Sequence, residues 1–325
     1  MFTNRITRDR RRSQGLISSN AGKTDAFKKL IVKYLLATRK LIPVVMTAFV
    51  AAIFVAVGFG QTDRLSGTLV VAVPVSNGLV TCADKRLFNV DAGTFKDDSI
   101  KIRRVGENAL FVATNTVGFY DRKKKVVAFD AFKVTADYAA KNDVNTGKPF
   151  FEGLRKEIEA QLRSYLYARP YAEWPETDKP NQGLLFNLVF YTLDGETVHS
   201  HTLKVFYEKA QTPKITIPSR FTEVVQFPKL SGKGRDVMGY LAQHPSIAAQ
   251  PAILRFDESY FNLQTTTVRD AVDFSRKLFL ITNTAIPQAR VSATFDCAYV
   301  SNQLGFQWLD GFGRLRSSDR SIPGS

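Results

Sequence analysis

The segment Leu69–Val75 constrains the fold more than any other part of the chain. Every residue in this run, LVVAVPV, is apolar, and most of them are valine, which favours strands. A strand with one face in water alternates apolar and polar side chains, whereas a strand that is covered on both faces does not. The run therefore predicts a strand within a sheet that is covered on both faces.

The order of the predicted elements favours a layered α+β architecture. β-forming runs that are bounded by turn residues predict strands at 69–75, 79–83, 100–105, 109–114, 184–193, 197–207, 291–300 and 303–309. Apolar spacing and capping residues predict helices at 119–140, 149–167, 233–243 and 267–281. Strands and helices come in blocks and do not alternate, so we expect an α+β fold without parallel βαβ units.

One domain is expected to cover residues 68–312. The polar residues 61–67 are interpreted as a spacer in front of it, and residues 313–325 as a disordered tail. No internal repeat and no low-complexity linker divides the region between them.

The N-terminal region carries most of the positive charge. Residues 1–40 hold eleven Lys and Arg against Asp9 and Asp25, which places +9 of the net charge of +15 in this part. We predict a basic and mostly disordered tail there. The rest of the chain is only mildly basic, so the sequence does not favour nucleic acid as a partner.

An uncharged run of twenty residues follows at 41–60. A helix of that length, at about 1.5 Å per residue, spans the roughly 30 Å hydrocarbon core of a bilayer. The basic flank predicts a cytoplasmic N-terminus and a body on the non-cytoplasmic side. Two interpretations stay open: a transmembrane signal-anchor, or the apolar region of a signal peptide that is removed on export.

The chain has two cysteines, Cys82 and Cys297, and both lie in predicted strands. We expect two small, separately buried side chains. A disulfide stays open as an alternative, because the sequence does not place the two residues close together.

Thr68 follows Gly67 and opens the apolar run. A threonine hydroxyl is a poor nucleophile without a base. Cleavage between Gly67 and Thr68 would give Thr68 a free α-amine, which can take the proton from its own hydroxyl. This position is therefore a candidate nucleophile whose activity requires the cut.

A spaced set of residues around Thr68 matches a known pattern. The set is Gly67, Thr68, Gly78, Asp84, Arg86 and Lys101. It resembles the start of a proteasome β-type subunit, in the N-terminal-nucleophile (Ntn) hydrolase superfamily. The resemblance implies a four-layer αββα sandwich, here preceded by the membrane or signal segment, and assembly into homo-oligomers.

The resemblance also implies a role for each residue. Thr68 would be the nucleophile and, through its freed amine, the general base. Lys101 would be a cation beside the hydroxyl, and Asp84 would hold Lys101 in place. Arg86 would brace the loop that follows its strand.

Two further positions extend the implied site. A backbone N–H near Asn115 would stabilise the oxyanion. Ser231, which precedes Gly232, would complete the hydrogen-bond network of the nucleophile. Asn283 lies roughly where the family has an aspartate.

The implied function is that of an N-terminal threonine peptidase, with a peptide or protein as substrate and no cofactor. Two departures from the family keep alternatives open. The family usually has glycine where Asn115 stands, and a membrane segment directly before the nucleophile is unusual. The alternatives are a catalytically silent, membrane-tethered subunit that acts in assembly or binding, and a non-proteolytic Ntn amidohydrolase.

His199 and His201 lie on one face of a predicted strand. Two imidazoles can bind a metal, but no third ligand stands near them in the sequence. We therefore expect exposed strand residues there and no metal site.

Overall fold

The computed structural model describes residues 62–66, 68–89, 92–121, 124–175, 183–218 and 223–316. The predicted basic tail at 1–40, the apolar run at 41–60 and Gly67 lie outside these residues. Within them, no helix combines the length and the apolar character that crossing a membrane requires.

The described residues contain both strands and helices, as the α+β prediction requires. The strands are β1 Thr62–Ser66, β2 Leu69–Val75, β3 Gly78–Asp84, β4 Leu87–Asn89, β5 Thr94–Lys96, β6 Ile102–Arg104, β7 Ala109–Asn115, β8 Gly118–Asp121, β9 Val126–Asp130, β10 Leu184–Asp194, β11 Thr197–Glu208, β12 Lys214–Thr216, β13 Glu223–Val224, β14 Lys229–Gly232, β15 Phe295–Ser301 and β16 Gly305–Leu309. The α-helices are α1 Ala131–Ala139, α2 Lys148–Tyr167, α3 Gly234–Gln243, α4 Pro245–Ala248, α5 Pro251–Leu254 and α6 Val268–Ala285.

These strands form three sheets, which we name after one strand each. The β2 sheet has the order β14-β2-β3-β15-β16, and the β10 sheet has the order β12-β11-β10-β7-β6, with β13 beside β11. The smaller β1 sheet has the order β5-β4-β1-β8-β9. The pairings are antiparallel, which agrees with the absence of βαβ units predicted from the sequence.

Three apolar cores show how the elements are layered. The core between the two larger sheets contains Val70 of β2 and Val189 of β10. The opposite face of the β10 sheet packs its Phe190 against α1 and α2. The opposite face of the β2 sheet packs Val71 against helices that include α3 and α6. The layers therefore follow the order helix, sheet, sheet, helix, and every residue of β2 is buried, as its composition predicts.

Most predicted helices keep their position because their signals are local. In α2, Leu154, Ile158 and Leu162 form the buried stripe. In α6, Thr267 and Asp270 form the predicted capping box, with each side chain accepting from the backbone N–H of the other residue.

The predicted helix at 119–140 is wrong in its first half. Strands β8 and β9 form a hairpin there, and α1 begins only after Asp130. Phe119 and Phe129 of this hairpin pack their rings against Tyr165 of α2. Because β8 also pairs with β1, contacts distant in sequence override the local helical preference.

The predicted spacer at 61–67 contains a strand. β1 pairs with β8 on one edge and with β4 on the other. The N–H of Val117 also donates to the carbonyl oxygen of Leu65 at 2.9 Å. The sequence TDRLS has no apolar pattern, so backbone pairing alone defines this strand. The segment in front of Thr68 is therefore part of a sheet.

The chain also stays attached to the domain beyond residue 312. Leu315 forms a bridge with Leu309 of β16. The N–H of Arg316 donates to the carbonyl oxygen of Trp308 at 2.9 Å. Residues 313–316 therefore lie in the folded part and not in the predicted tail.

Cys82 and Cys297 form a disulfide across β3 and β15. The two residues lie directly opposite each other in the strand register, and both are buried under the helices of the β2 sheet. The expectation of two separate thiols is therefore wrong. The cysteines are 215 residues apart, and their contact follows from a strand pairing that a single sequence does not reveal.

Candidate active site

Thr68 lies at the start of β2 and is 2% exposed. Its carbonyl oxygen accepts a hydrogen bond from the N–H of Lys233 at 2.9 Å. The next residue, Leu69, donates its N–H to Oδ1 of Asp84 at 2.7 Å. The backbone around Thr68 is thus fixed from β3 and from the residue that follows β14.

Gly232 allows β14 to approach Thr68 closely. Its φ of 67° lies in the left-handed region that favours glycine. A Cβ atom at this position would stand 2.0 Å from the carbonyl oxygen of Thr68. A larger residue at this position would therefore displace Thr68, which gives the Ser231-Gly232 match of the sequence a structural reason.

Asp84 and Lys101 form a buried ion pair beside this backbone. Their side chains are 0% and 1% exposed. Nζ of Lys101 donates to both carboxylate oxygens of Asp84 at 3.2 Å, and also to the carbonyl oxygen of Arg86. A buried charge requires a partner, and here each residue supplies one to the other.

Backbone groups from three segments complete the surroundings of Asp84. Besides Leu69, the N–H of Arg86 donates to Oδ2 at 3.0 Å and the N–H of Ser292 donates to the same oxygen at 3.4 Å. Donors from β2, from the loop after β3 and from the segment before β15 therefore meet at one carboxylate. The structure brings Asp84, Lys101 and the backbone of Thr68 into one cluster.

Burial changes the acid–base behaviour of Lys101. It lowers the pKa of Lys101 from the ordinary lysine value, while the charge of Asp84 acts in the opposite direction. The proton of Lys101 is therefore released more easily than that of an exposed lysine, although the ion pair opposes its loss.

Arg86 contributes its backbone to the cluster, while its side chain points elsewhere. Its guanidinium makes two hydrogen bonds of 2.8 Å to the carboxylate of Asp97, and it lies 4.2 Å from the ring centre of Phe95. These contacts tie the loop after β3 to the segment after β5. This position fits the bracing role that the resemblance implies.

Asn115, at the end of β7, has a backbone conformation that is typical of glycine. Its φ is 70°, in the left-handed region, which asparagine tolerates better than most residues. The departure from the family pattern at this position therefore leaves the glycine-like turn in place. Strained backbone of this kind is enriched at functional sites.

Ser231 faces the core between the two sheets. It lies opposite Val70 in the register of β14 and β2, and opposite residues point to the same face. Tyr191 of β10 also lies in this core.

Two contacts of the site were missed from the sequence, and both involve the segment before β15. Ser292 donates to Asp84 although it is 208 residues away. The carbonyl oxygen of Thr294 accepts from the N–H of Lys85 at 3.0 Å. Asn283 supports this segment through a 2.9 Å hydrogen bond from Nδ2 to the carbonyl oxygen of Val291. In the sequence, the polar residues Ser292 and Thr294 just before β15 were the available indication that this segment contributes to the site.

Within the described residues, His199 and His201 have no contact in common with the cluster of Thr68, Asp84 and Lys101. The ring of His201 stacks on Phe151 at 4.5 Å, and burial, followed by the charge of His199, lowers the pKa of His201 to about 4. The expectation of an exposed side chain is therefore wrong for His201. Across the described part of the chain, no group of three or more His, Cys, Asp and Glu side chains could hold a metal ion.

Comparisons with known proteins find a distant structural neighbour. No family model matches the chain, and no curated protein matches it. Among solved structures, a mutant of Anbu from Hyphomicrobium sp. strain MC1 is similar over 77% of this chain and 85% of the other, with 12% identity and a TM-score of 0.39. A similarity at this level assigns neither a family nor an activity to the chain.

Proposed function

We propose that the chain is an Ntn-type threonine hydrolase that cleaves peptides after the bond between Gly67 and Thr68 has been cut. The observation that carries this proposal is the Asp84–Lys101 pair, fully buried and joined through Leu69 to the residue that would be the nucleophile. Burying two charges has a large desolvation cost. Apolar residues at these positions would avoid that cost, so the buried pair indicates a function. Buried, perturbed ionisable groups are concentrated at functional sites.

The cut supplies the base that Thr68 lacks. Once the α-amine is free, it accepts the hydroxyl proton while the oxygen attacks the carbonyl carbon of the substrate. The amine then returns this proton to the leaving amine of the substrate as the carbon–nitrogen bond breaks. An ester between substrate and Thr68 remains, and water hydrolyses it.

Lys101 and Asp84 support the attacking oxygen. The ammonium group of Lys101 favours the alkoxide-like state of the hydroxyl and lowers the pKa of the nearby amine through charge repulsion. Asp84 keeps the ammonium in place through the two 3.2 Å contacts. Because both groups are held by buried neighbours, little reorganisation is needed when charge develops.

The left-handed backbone at Asn115 is the candidate oxyanion site. Thr114, the residue before it, lies 3.3 Å from the position of a Cβ on Gly232, next to the carbonyl of Thr68. A backbone N–H at this turn can donate to the negative oxygen of the tetrahedral intermediate.

The position of β1 favours a peptide as the substrate. β1 is an extended segment with backbone pairing to β4 and β8, and it leads directly to residue 67. When this segment leaves after the cut, two strand edges lose their partner, and an extended peptide can pair with both. An amide without a peptide backbone would not use these edges.

The disulfide favours the non-cytoplasmic location that the sequence predicts. Disulfides persist in secreted and periplasmic proteins and are rare in the cytosol. The Cys82–Cys297 bond therefore fits a domain that is exported or anchored through 41–60 on the non-cytoplasmic side. Assembly into homo-oligomers stays a prediction of the resemblance.

Covalent labelling tests the function. A peptide epoxyketone requires both the amine and the hydroxyl of an N-terminal threonine, so the processed protein should gain one adduct that peptide mapping places on Thr68. Thr68→Ala should gain none, and Thr94→Ala, which changes a threonine on the exposed strand β5, should react like the wild type. Absence of the adduct in wild type, or an adduct on another residue, would contradict the proposal.

A substrate screen separates peptidase from amidohydrolase activity. Fluorogenic short peptides and simple acyl amides should be offered to the same processed protein. We expect turnover of the peptides and little of the acyl amides, and the reverse preference would reject the peptidase assignment.

A further inference from the structure

The guanidinium of Arg290 forms no ion pair with a carboxylate among the described residues. The side chain is exposed, although its neighbours Ala289 and Val291 are only 0% and 1% exposed. The φ of Arg290 is 56°, in the left-handed region, and its N–H donates to the carbonyl oxygen of Pro287 at 3.1 Å. Backbone of this kind is costly for a residue with a long side chain and is enriched at functional sites. A fixed turn therefore presents this cation at the surface.

The guanidinium lies on the ring of Phe88 in β4. Cζ of Arg290 is 3.8 Å from the centre of that ring. A guanidinium that stacks on an aromatic ring uses its flat face, and the N–H groups at its edge can still donate. Phe88 is 9% exposed, yet it belongs to none of the three apolar cores. Its ring therefore supports the cation and is not part of the interior.

Phe88 is also the neighbour of the residue that closes β1. Ser66 lies directly opposite Phe88 in the register of β1 and β4, so the two side chains point to the same face. The Cβ atoms of such a pair are about 4.5 to 5.5 Å apart. Ser66 is the second residue before the bond that joins Gly67 to Thr68. Arg290 therefore lies on the face occupied by the side chain two residues before the cut.

We propose that Arg290 is a specificity-determining residue that selects peptides with a glutamate or an aspartate two residues before the cleaved bond. The inference rests on the proposed function, in which an extended peptide takes the place of β1 on the edge of β4. The second residue before the cleaved bond then stands where Ser66 stood, beside Phe88. A carboxylate there can accept two N–H groups from the guanidinium.

The charges along this face favour an acidic side chain. Phe95 of β5 lies opposite Phe88 and carries a second guanidinium, that of Arg86, at 4.2 Å from its ring centre. Asp97 neutralises Arg86 through two hydrogen bonds of 2.8 Å. The charge of Arg290 is not balanced in this way. The residue of the chain itself at the selected position is a serine, so the released segment lacks the carboxylate that would keep it bound.

The test uses fluorogenic peptides that differ at one position. The first set carries Glu, Gln or Lys two residues before the cleaved bond, and the second set carries them three residues before it. Successive side chains of a strand point to opposite faces, so only the first set should depend on Arg290. The value of kcat/KM is measured at low and high salt for the processed wild type, Arg290→Gln, Arg290→Glu and a control variant.

The control variant is Arg276→Gln. Arg276 also lies near a phenylalanine ring, 5.5 Å from the centre of Phe312, but it belongs to α6. Each protein is judged by the ratio of kcat/KM for two peptides measured on one preparation. A variant that folds only in part therefore still gives a valid ratio.

In wild type, kcat/KM should be roughly tenfold higher for the Glu peptide of the first set than for the Gln peptide, as a hydrogen bond to a charged group would give. This preference should weaken at high salt, because ions screen exposed charges. It should disappear in Arg290→Gln and turn into a preference for Lys in Arg290→Glu. Arg276→Gln should keep the wild-type ratio.

Two results would overturn the inference and leave the proposed function standing. One is cleavage of the first set without a preference for Glu, and the other is a preference for Glu that survives in Arg290→Gln. A different result rejects both. If the wild type cleaves no peptide of either set and gains no epoxyketone adduct on Thr68, the proposed function fails and the inference fails with it.

Discussion

The two strands on either side of residue 67 differ in almost every respect. β2 consists of seven apolar residues, all buried, and it lies between β14 and β3 in one of the two sheets that enclose the central core. β1 is polar, its residues Arg64, Leu65 and Ser66 are only partly buried, and it lies in the smaller sheet among short strands. The chain therefore passes from one sheet to another between Ser66 and Leu69.

This difference shows that the fold depends more on the part of the chain after the Gly67–Thr68 bond than on the part before it. The start of β2 is held by Asp84, by Lys233 and by two apolar cores. β1 is held by backbone pairing to β4 and β8. Cleavage at residue 67 would leave the first set of contacts intact and release the second, which is what activation at Thr68 requires.

The largest effect is expected at the disulfide, because it joins strands of the β2 sheet. A bond that closes a loop of 215 residues stabilises the fold by about 5 kcal/mol in the chain-entropy description. The double variant Cys82→Ser and Cys297→Ser should lose a comparable amount in a denaturant titration. Equal stability of wild type with and without reductant would show that the central sheet does not rely on this bond.

A loss of roughly 3 to 5 kcal/mol is expected for Lys101→Met, because it leaves Asp84 buried without its cation. The matched control is Arg86→Met, which breaks a pair with Asp97 that is partly exposed and worth at most about 1 kcal/mol. Chemical denaturation of both variants measures the difference. Similar losses in the two would mean that the pair near Thr68 is no more important than a surface pair.

A direct comparison of the two strands uses one truncation in each, made in the Thr68→Ala chain, in which β1 stays attached. Val71→Ala removes a side chain that is 0% exposed and should cost roughly 2 kcal/mol, with the cavity included. Leu65→Ala removes a larger but partly exposed side chain of β1 and should cost about 1 kcal/mol or less. A larger loss from Leu65→Ala than from Val71→Ala would reverse the roles assigned to the two strands.

The smallest effect is expected at Asn115. Its left-handed φ costs an alanine roughly 1 kcal/mol more than a glycine. Asn115→Gly should therefore keep or slightly raise the thermal midpoint, whereas Asn115→Ala should lower it by a few degrees. If the two variants had the same thermal midpoint, the turn at the candidate oxyanion site would not be under the strain inferred from its backbone.

Sequence patterns predicted the parts of the fold that local chemistry determines. The uniform apolar composition of β2 predicted its burial on both faces, and the capping box at Thr267 fixed the start of α6. The resemblance carried by the residues around Thr68 also implied the pairing of Asp84 with Lys101, which the structure shows as a buried ion pair. In each case the information lies within a short stretch of chain.

Contacts between distant segments were not accessible in this way. β1 is defined by pairing and has no apolar pattern, so its sequence looks like a linker. The register of β3 and β15 determines the disulfide, and the fold brings the N–H of Ser292 to Asp84, which is 208 residues away in the chain. The hairpin at 118–130 shows the same effect, because pairing with β1 outweighs helical preference.

The mature N-terminus tests the central claim most directly. Intact mass measurement and N-terminal sequencing of the purified protein should show a wild-type chain that begins at Thr68 and a Thr68→Ala chain in which the bond to Gly67 is intact. An uncut wild type would contradict the claim. So would a Thr68→Ala variant that is cut at the same bond, because the cleavage would then not depend on the hydroxyl of Thr68.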